Sequence, residues 1–238
     1  WQTHLTNMAR KGRFSSLVSL GFDRTDGVQE GFDFKQGDLY AKIGFEATEQ
    51  WKLQTDYVDL LLVHQPYGDY YSIYRVLEKA YAQGKARAIG LSNFYDARFV
   101  DLAYHAGVVP AVNQLETNVF SQQNGMREQL AESDTRLMAW GPMGQGKNDF
   151  FNNPVLISIG EKYGKTASQV GLRFLVQQGI PVIPKSVSIE RMKENMDIFD
   201  FLLDDCDMAA IRALNIHDKG TRDFNDPAYA QKIVSQVF

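Results

Sequence analysis

The chain has 238 residues, 44% of them hydrophobic and 23% charged, an ordinary globular composition with enough apolar side chain for one sizeable core or two small ones. Its 25 basic and 29 acidic residues give a net charge of −4 with no basic block, so a nucleic-acid footprint is absent. No apolar run approaches the roughly 18 residues that cross a membrane, and the single cysteine, Cys206, cannot form an internal disulfide, which fits a reducing, cytoplasmic setting.

The segment from Met8 to Gly21 begins basic, but Ser15, Ser16 and Ser19 interrupt its apolar part, so it reads as mature sequence and not as a signal peptide. The chain begins at Trp1 and not at Met, which leaves its true start open. In residues 1–38 only 16–22 reads as a strand. Residues 39–43 (LYAKI) predict the next strand, and 57–64 (YVDLLLVH) a nearly continuous apolar one, as for a parallel strand covered on both faces. A helix follows over 70–83, with Ile73, Leu77 and Ala80 along one face and Gly84 at its end. The same unit recurs: strand 87–91 with helix 95–105, strand 109–115 with helix 122–132, and strand 136–140. After a glycine- and asparagine-rich loop come helices over 155–163 and 166–177, strand 180–183, and helix 189–199 with Ser188 as N-cap. A last helix over 205–214 precedes a tail that reads as irregular.

Strand–helix alternation without early hairpins predicts an α/β fold with a parallel sheet. Six strands are readable between residues 39 and 185, so a closed (β/α)8 barrel requires two more from residues 1–38. That architecture takes about 250 residues, and the chain is short for it. The expected fold is therefore a (β/α)8 TIM barrel, incomplete or irregular in its N-terminal strands. No linker divides the sequence, which predicts one domain over 1–238.

In such barrels the site is assembled at the C-terminal ends of the strands. His64 with Gln65, Ser92 with Asn93, Asn113 with Gln114, Trp140 with Gly141, and Lys185 with Ser186 each follow an apolar run. Any one of them has an ordinary explanation: a satisfied core histidine, a helix start, a core tryptophan, a solvated lysine. Five strands ending in polar or aromatic groups on one side favour a common site. Lys185, Ser186, Arg191 and Asn195 lie at the last strand end and the first turns of the next helix, with Arg191 and Asn195 on one face. Two cations and a hydroxyl beside a helix N-terminus suit a phosphate dianion, the other reading being a basic helix start on the surface. Gly144-Gln-Gly146 lacks the third glycine of a Rossmann loop, which sets that alternative aside.

The segments LQTDYVDLLLVHQP (53–66), GKARAIGLSNF (84–94), PAVNQLE (110–116), MAWGPMGQGK (138–147), KYGKTASQVGLRFL (162–175) and IPKSVSIERMKENMDIFDF (183–201) resemble the aldo-keto reductases, and most of all the prokaryotic 2,5-diketo-gluconate reductase group. The resemblance divides the domain into a poorly matching 1–44, a well-matching 45–201, and a C-terminal helix and tail over 202–238. It implies NADPH as cofactor and no metal. Ser92, Asn93 and Gln114 match groups that hold the nicotinamide carboxamide, and Trp140 matches the ring on which the nicotinamide stacks. Gly141, Met143 and the following glycines match the loop that passes the pyrophosphate. Lys185, Ser186, Val187, Arg191, Glu194 and Asn195 match the adenosine 2′-phosphate and adenine site. His64 matches the histidine that orients the substrate carbonyl.

The family reaction delivers hydride from NADPH to an aldehyde or ketone while a tyrosine, tuned by a lysine and an aspartate, protonates the oxygen. Lys42 resembles that lysine and Asp26 that aspartate, but the position five residues beyond Asp26 is Gly31 and not tyrosine. Tyr40, two residues before Lys42, has no support from the pattern. The implied function is NADPH-dependent reduction of small aldehydes, ketones or keto sugars by a monomer. The alternatives are an NADPH-binding module with little or no turnover, or a chain whose N-terminal part does not close a stable barrel alone. Tyr67, Tyr70 and Tyr71 after His64, with Phe224, Tyr229 and Phe238 in the tail, suggest a partly aromatic substrate pocket or simply ring packing under loops.

Overall fold

The computed structural model describes residues 57–216 and 220–235 with their side chains, and the backbone of 2–11, 14–26, 33–48, 51–53 and 236–237. The chain forms two compact units, Trp1–Tyr57 and Val58–Phe238.

The first unit is a four-stranded antiparallel sheet of β1 (Gln2–Lys11), β2 (Phe14–Asp26), β3 (Asp33–Thr48) and β4 (Trp51–Leu53), in that order. Leu17 pairs with Lys42 and Asp26 with Asp33, and the ladder is irregular between Glu46 and Thr48. The predicted strands at 16–22 and 39–43 fall inside β2 and β3, but as neighbours in a meander, where the alternation pattern predicts parallel strands and no hairpin. Connection length explains the difference: six residues separate β2 from β3, and a parallel crossover needs about a dozen.

The second unit carries the α/β alternation. Its sheet runs β5 (Val58–Val63), β6 (Ala86–Ser92), β7 (Val112–Glu116), β8 (Arg136–Trp140) and β9 (Val182–Ile183), all parallel and in sequence order. Between the strands lie α1 (Tyr70–Ala82), α2 (Asp96–His105), α3 (Asn124–Ala131), α4 (Pro154–Tyr163) and α5 (Ala167–Gln177). Beyond β9 come α6 (Ile189–Met196), α7 (Asp205–Arg212) and α8 (Pro227–Val237). This is the strand–helix succession of a (β/α)8 barrel, with five of its strands in the unit.

Local chemistry sets the boundaries. Asp69 caps α1 through the Ser72 N–H at 3.1 Å, and Asn153 caps α4 ahead of Pro154 at N1. Thr166 with Gln169 and Asp204 with Asp207 form reciprocal capping boxes on α5 and α7. Ser188 caps α6 as its position predicts, accepting from the Arg191 N–H at 3.3 Å. Gln123, with φ 56°, precedes α3 in a left-handed conformation, so that helix starts later than the predicted residue 122.

The core lies between sheet and helices and is dominated by Ile89, Leu91, Phe94, Phe99, Leu115, Leu156, Leu172 and Phe174, each no more than 1% exposed. Burying side chains of this size removes about 1.5–3 kcal/mol of unfavourable hydration each. At Gly90 the sheet demands glycine, because a Cβ would stand 2.5 Å from the Val112 carbonyl oxygen.

Three expectations are corrected. In α1 the inward stripe is Tyr74 and Leu77, while Ile73 is exposed; the Tyr74 hydroxyl reaches the Val108 carbonyl at 2.9 Å, an anchor that Ile73 cannot supply. In β5 only Val63 is buried and Val58 is exposed, since β5 is an edge strand of its sheet. The tail is not irregular throughout: α8 begins at Pro227, whose fixed φ suits a first helical position, with Asp226 accepting from the Ala228 N–H at 2.9 Å.

Candidate active site

β6, β7 and β8 end together, and their terminal residues are knitted into one network. Ser92 closes β6, and Asn93 follows with φ 63°, a left-handed conformation that asparagine tolerates better than most residues. Both side chains are buried. The carbonyl oxygen of Gln114 accepts the Asn93 N–H at 3.0 Å and the Ser92 hydroxyl at 3.1 Å, which locks β6 to β7 at this depth. The Asn93 amide nitrogen donates to Ser92 Oγ at 3.1 Å and, at 3.4 Å, to the carbonyl oxygen of His64 at the end of β5. Its Oδ1 accepts the Trp140 indole N–H at 2.8 Å. The Gln114 side-chain nitrogen lies 3.2 Å from Met138 Sδ. Four strand ends thus converge on Asn93.

Trp140 is half-buried, and the chain turns away from it through Gly141 at φ 59°, the half-buried Met143, and a 3₁₀ turn over Gly144–Gly146. Gln145 within that turn is also left-handed, at φ 55°. His64 is exposed at the mouth.

Beyond β9 the second predicted cluster is more open. Lys185, Val187 and Arg191 are exposed, while Ser186, Glu194 and Asn195 are half-buried. Ser186 Oγ exchanges hydrogen bonds with the Ser188 carbonyl and N–H, both at 3.2 Å, fixing the turn into α6. Glu194 accepts from the Thr166 hydroxyl at 2.6 Å, so its carboxylate also fastens α6 to α5. Glu190 shares the first turn of α6, and the Ser188 hydroxyl holds its carboxyl below the usual range. Lys42 and Asp26 lie outside the residues whose side chains are described.

Several residues of this end were missed in the sequence. Glu116 is 2% exposed, and its carboxylate accepts from the Thr221 N–H at 3.1 Å and the Thr221 hydroxyl at 2.9 Å. It stands two residues after Gln114 on β7, and strand alternation could have found it on the same face. Gln123 donates to the Glu116 carbonyl at 2.7 Å and to the Tyr95 hydroxyl at 3.2 Å. Arg222 lies over the Trp140 ring, 5.0 Å from its centroid. No sequence signal marks Arg222, because its proximity depends on the path of the tail.

The donor set fits a nicotinamide dinucleotide. A carboxamide needs donors and acceptors side by side, as Ser92, Asn93 and Gln114 provide. Gln65 Oε1, beside His64, and Asn113 Oδ1, beside Gln114, are buried without a hydrogen-bond partner among the described residues, as acceptors awaiting a ligand N–H would be. Among the described residues no group of His, Cys, Asp or Glu could hold a metal ion, and no helix is long and apolar enough to cross a membrane.

The sequence pattern of the Aldo/keto reductase family matches residues 49–216. Glyoxal reductase of Bacillus subtilis is 44% identical over 165 residues, which span 69% of this chain and 59% of that protein. Methylglyoxal reductase DkgA of Yersinia pestis is 36% identical over 183 residues, spanning 76% of this chain and 65% of that one. The crystal structure of a mutant of Gox0644 in complex with NADPH superposes with a TM-score of 0.67 at 34% identity, covering 71% of this chain and 63% of Gox0644. The chain therefore spans less than two thirds of the length of each of these relatives. Both the ordered strand-end residues and the breadth of the match lead to one conclusion: the chain belongs to the aldo/keto reductase family.

Proposed function

We propose that the chain binds NADPH across the ends of β6–β9 and reduces small aldehydes, ketones or keto sugars. The observation that carries this reading is the Ser92–Asn93–Gln114–Trp140 network, anchored on the buried Ser92 and Asn93, which sets a carboxamide-binding group beside an indole of fixed orientation. NADPH, when bound, supplies a hydride to the carbonyl carbon. The remaining work belongs to the chain. Ser92, Asn93 and Gln114 hold the carboxamide, and Trp140 offers its ring to the nicotinamide. Gly141, Met143 and the turn after them accommodate the pyrophosphate. Lys185, Ser186 and Arg191 neutralise the 2′-phosphate, with Val187, Glu194 and Asn195 around the adenosine. His64 orients the carbonyl. Lys42 and Asp26 are the proposed partners of the proton donor. The similarity to reductases of glyoxal and methylglyoxal supports a small, reactive carbonyl as substrate. We assign a monomer acting in the cytoplasm.

A second reading, cofactor binding without turnover, is favoured by the tyrosines. Tyr67 donates its hydroxyl to the Phe224 carbonyl at 3.0 Å, and burial raises its pKa despite the opposing charge of Arg98. Tyr95 is pushed higher still by burial. Both shifts move a phenol away from useful acidity at neutral pH. A Tyr–Lys–Asp group does exist in Tyr163, Lys162 and Asp207, but it ties α4 to α7 and stands on no strand end.

NADPH consumption in the presence of methylglyoxal separates the two readings. Turnover that saturates with substrate supports the reductase. Saturable NADPH binding with no turnover leaves the binding module, and absence of NADPH binding removes both.

A further inference from the structure

The tail around residues 220–225 is pinned at the strand ends by two anchors. Thr221 is held by the buried Glu116 carboxylate through its N–H and hydroxyl. Phe224 is 2% exposed, stacks on Tyr95 with 5.8 Å between ring centroids, and offers its carbonyl to Tyr67 and to Arg98, the latter at 2.8 Å. Gly220, at φ 86°, passes so near Glu116 that a Cβ would stand 3.2 Å from its side chain.

Arg222 lies between these anchors. Its guanidinium carbon is 5.0 Å from the centroid of Trp140, and its Nη2 is 3.5 Å from Gln145 Oε1 in the turn after β8. One side chain of the tail therefore touches both the aromatic platform and the glycine turn. A planar guanidinium can stack on an indole and still direct its fork of donors at a phosphate. The charges nearby narrow the choice of anion. A cavity of about 360 Å³ beside Arg222 is also lined by Asp96 and Asp223, which oppose an acidic substrate there. The Trp140–Gln145 side is where the proposed path of the dinucleotide runs.

We propose that Arg222 is a cofactor-retaining residue: the clamped tail holds its guanidinium across Trp140 and the Gly144–Gly146 turn, where it pairs with the pyrophosphate of the bound dinucleotide. This rests on the NADPH reading above, and the test keeps the two apart.

Calorimetric titration of the full chain compares NADPH, 2′-phospho-ADP-ribose (pyrophosphate but no nicotinamide) and 2′-AMP (2′-phosphate alone). Arg222→Ala is expected to weaken the first two on the order of tenfold, the scale of one charge-assisted hydrogen bond, and to leave 2′-AMP unchanged. Arg222→Lys should retain part of the affinity, and rising salt should shrink the difference between wild type and Arg222→Ala. Unchanged affinity for NADPH and 2′-phospho-ADP-ribose overturns the proposal. So does a loss confined to NADPH, which would mark a contact with the nicotinamide ring only. Equal weakening of all three ligands overturns it as well, in favour of a structural role. If the wild-type chain binds none of them, the NADPH reading itself fails.

Discussion

The indole N–H of Trp140 donates to Asn93 Oδ1 at 2.8 Å, joining the end of β8 to the residue after β6 across the intervening β7. The bond fixes the plane of an aromatic ring that is only half-buried and would otherwise turn about its side-chain torsions. Asn93 can supply it because its backbone is left-handed, at φ 63°, which turns the chain as the strand ends.

Asn93→Ala should therefore cost more than Asn93→Gly. Both lose the side-chain bonds, but alanine adds about 1 kcal/mol for a left-handed residue with a Cβ. Chemical denaturation measures the difference. Both variants should also shift Trp140 emission and weaken NADPH, and equal stability of the two would contradict the backbone argument.

Lys185→Ala combined with Arg191→Ala should weaken NADPH at least about tenfold more than NADH, since each charged hydrogen bond to the 2′-phosphate is worth about 1.5–3 kcal/mol. Direct titration with both cofactors reads this. An equal loss for the two would remove the 2′-phosphate assignment.

Gly160 in α4 has no room for a side chain, because a Cβ would stand 2.3 Å from the Lys165 carbonyl oxygen. The Lys165 N–H in turn donates to the Gly160 carbonyl at 2.8 Å, so the two backbones cannot separate without losing that bond. Gly160→Ala should lower stability by about 1–3 kcal/mol despite the better helix propensity of alanine. A raised melting temperature would show that the turn between α4 and α5 yields easily.

Lys162 pairs with Asp204 and Asp207, binding α4 to α7. Its hydrogen bond to Asp204 is the leading cause that raises the lysine pKa, and the same bond lowers that of Asp204. A lowered carboxylate pKa contributes stability above the ordinary carboxylate value and loses it as pH falls through the folded value, from roughly pH 4 downward. The raised lysine contributes below its ordinary value and loses its share as pH rises past about 10. Asp204→Asn keeps a capping oxygen for the Asp207 N–H, so it should match the wild type in acid and be slightly less stable at neutral pH, which flattens the acid limb. The effect is small because the pair is solvent-exposed. An unchanged acid limb in urea-denaturation series would contradict the linkage.

What could be read in the sequence was whatever depends on neighbours along the chain. Five parallel strands and the groups that end them follow from apolar runs punctuated by polar residues, and Ser188 was recognisable as a cap from its position alone. Where a contact depends on distant chain, the signal fades. Tyr74 displaces Ile73 from the inward stripe of α1 because Val108 offers it a carbonyl. Glu116 is buried because Thr221 satisfies it from 105 residues away. The antiparallel pairing of β1–β4 rests on short connections and not on the strand–helix repeat that marks the chain further on.

The central claim is that the strand ends around Asn93 and Trp140 form an NADPH cradle. Titrating NADPH into the full chain while following tryptophan emission tests it most directly, with Trp140→Phe as control for Trp1 and Trp51. Saturable quenching is expected in the wild type and should be largely lost in the variant. A wild-type signal that does not saturate, or quenching unchanged in Trp140→Phe, would contradict it.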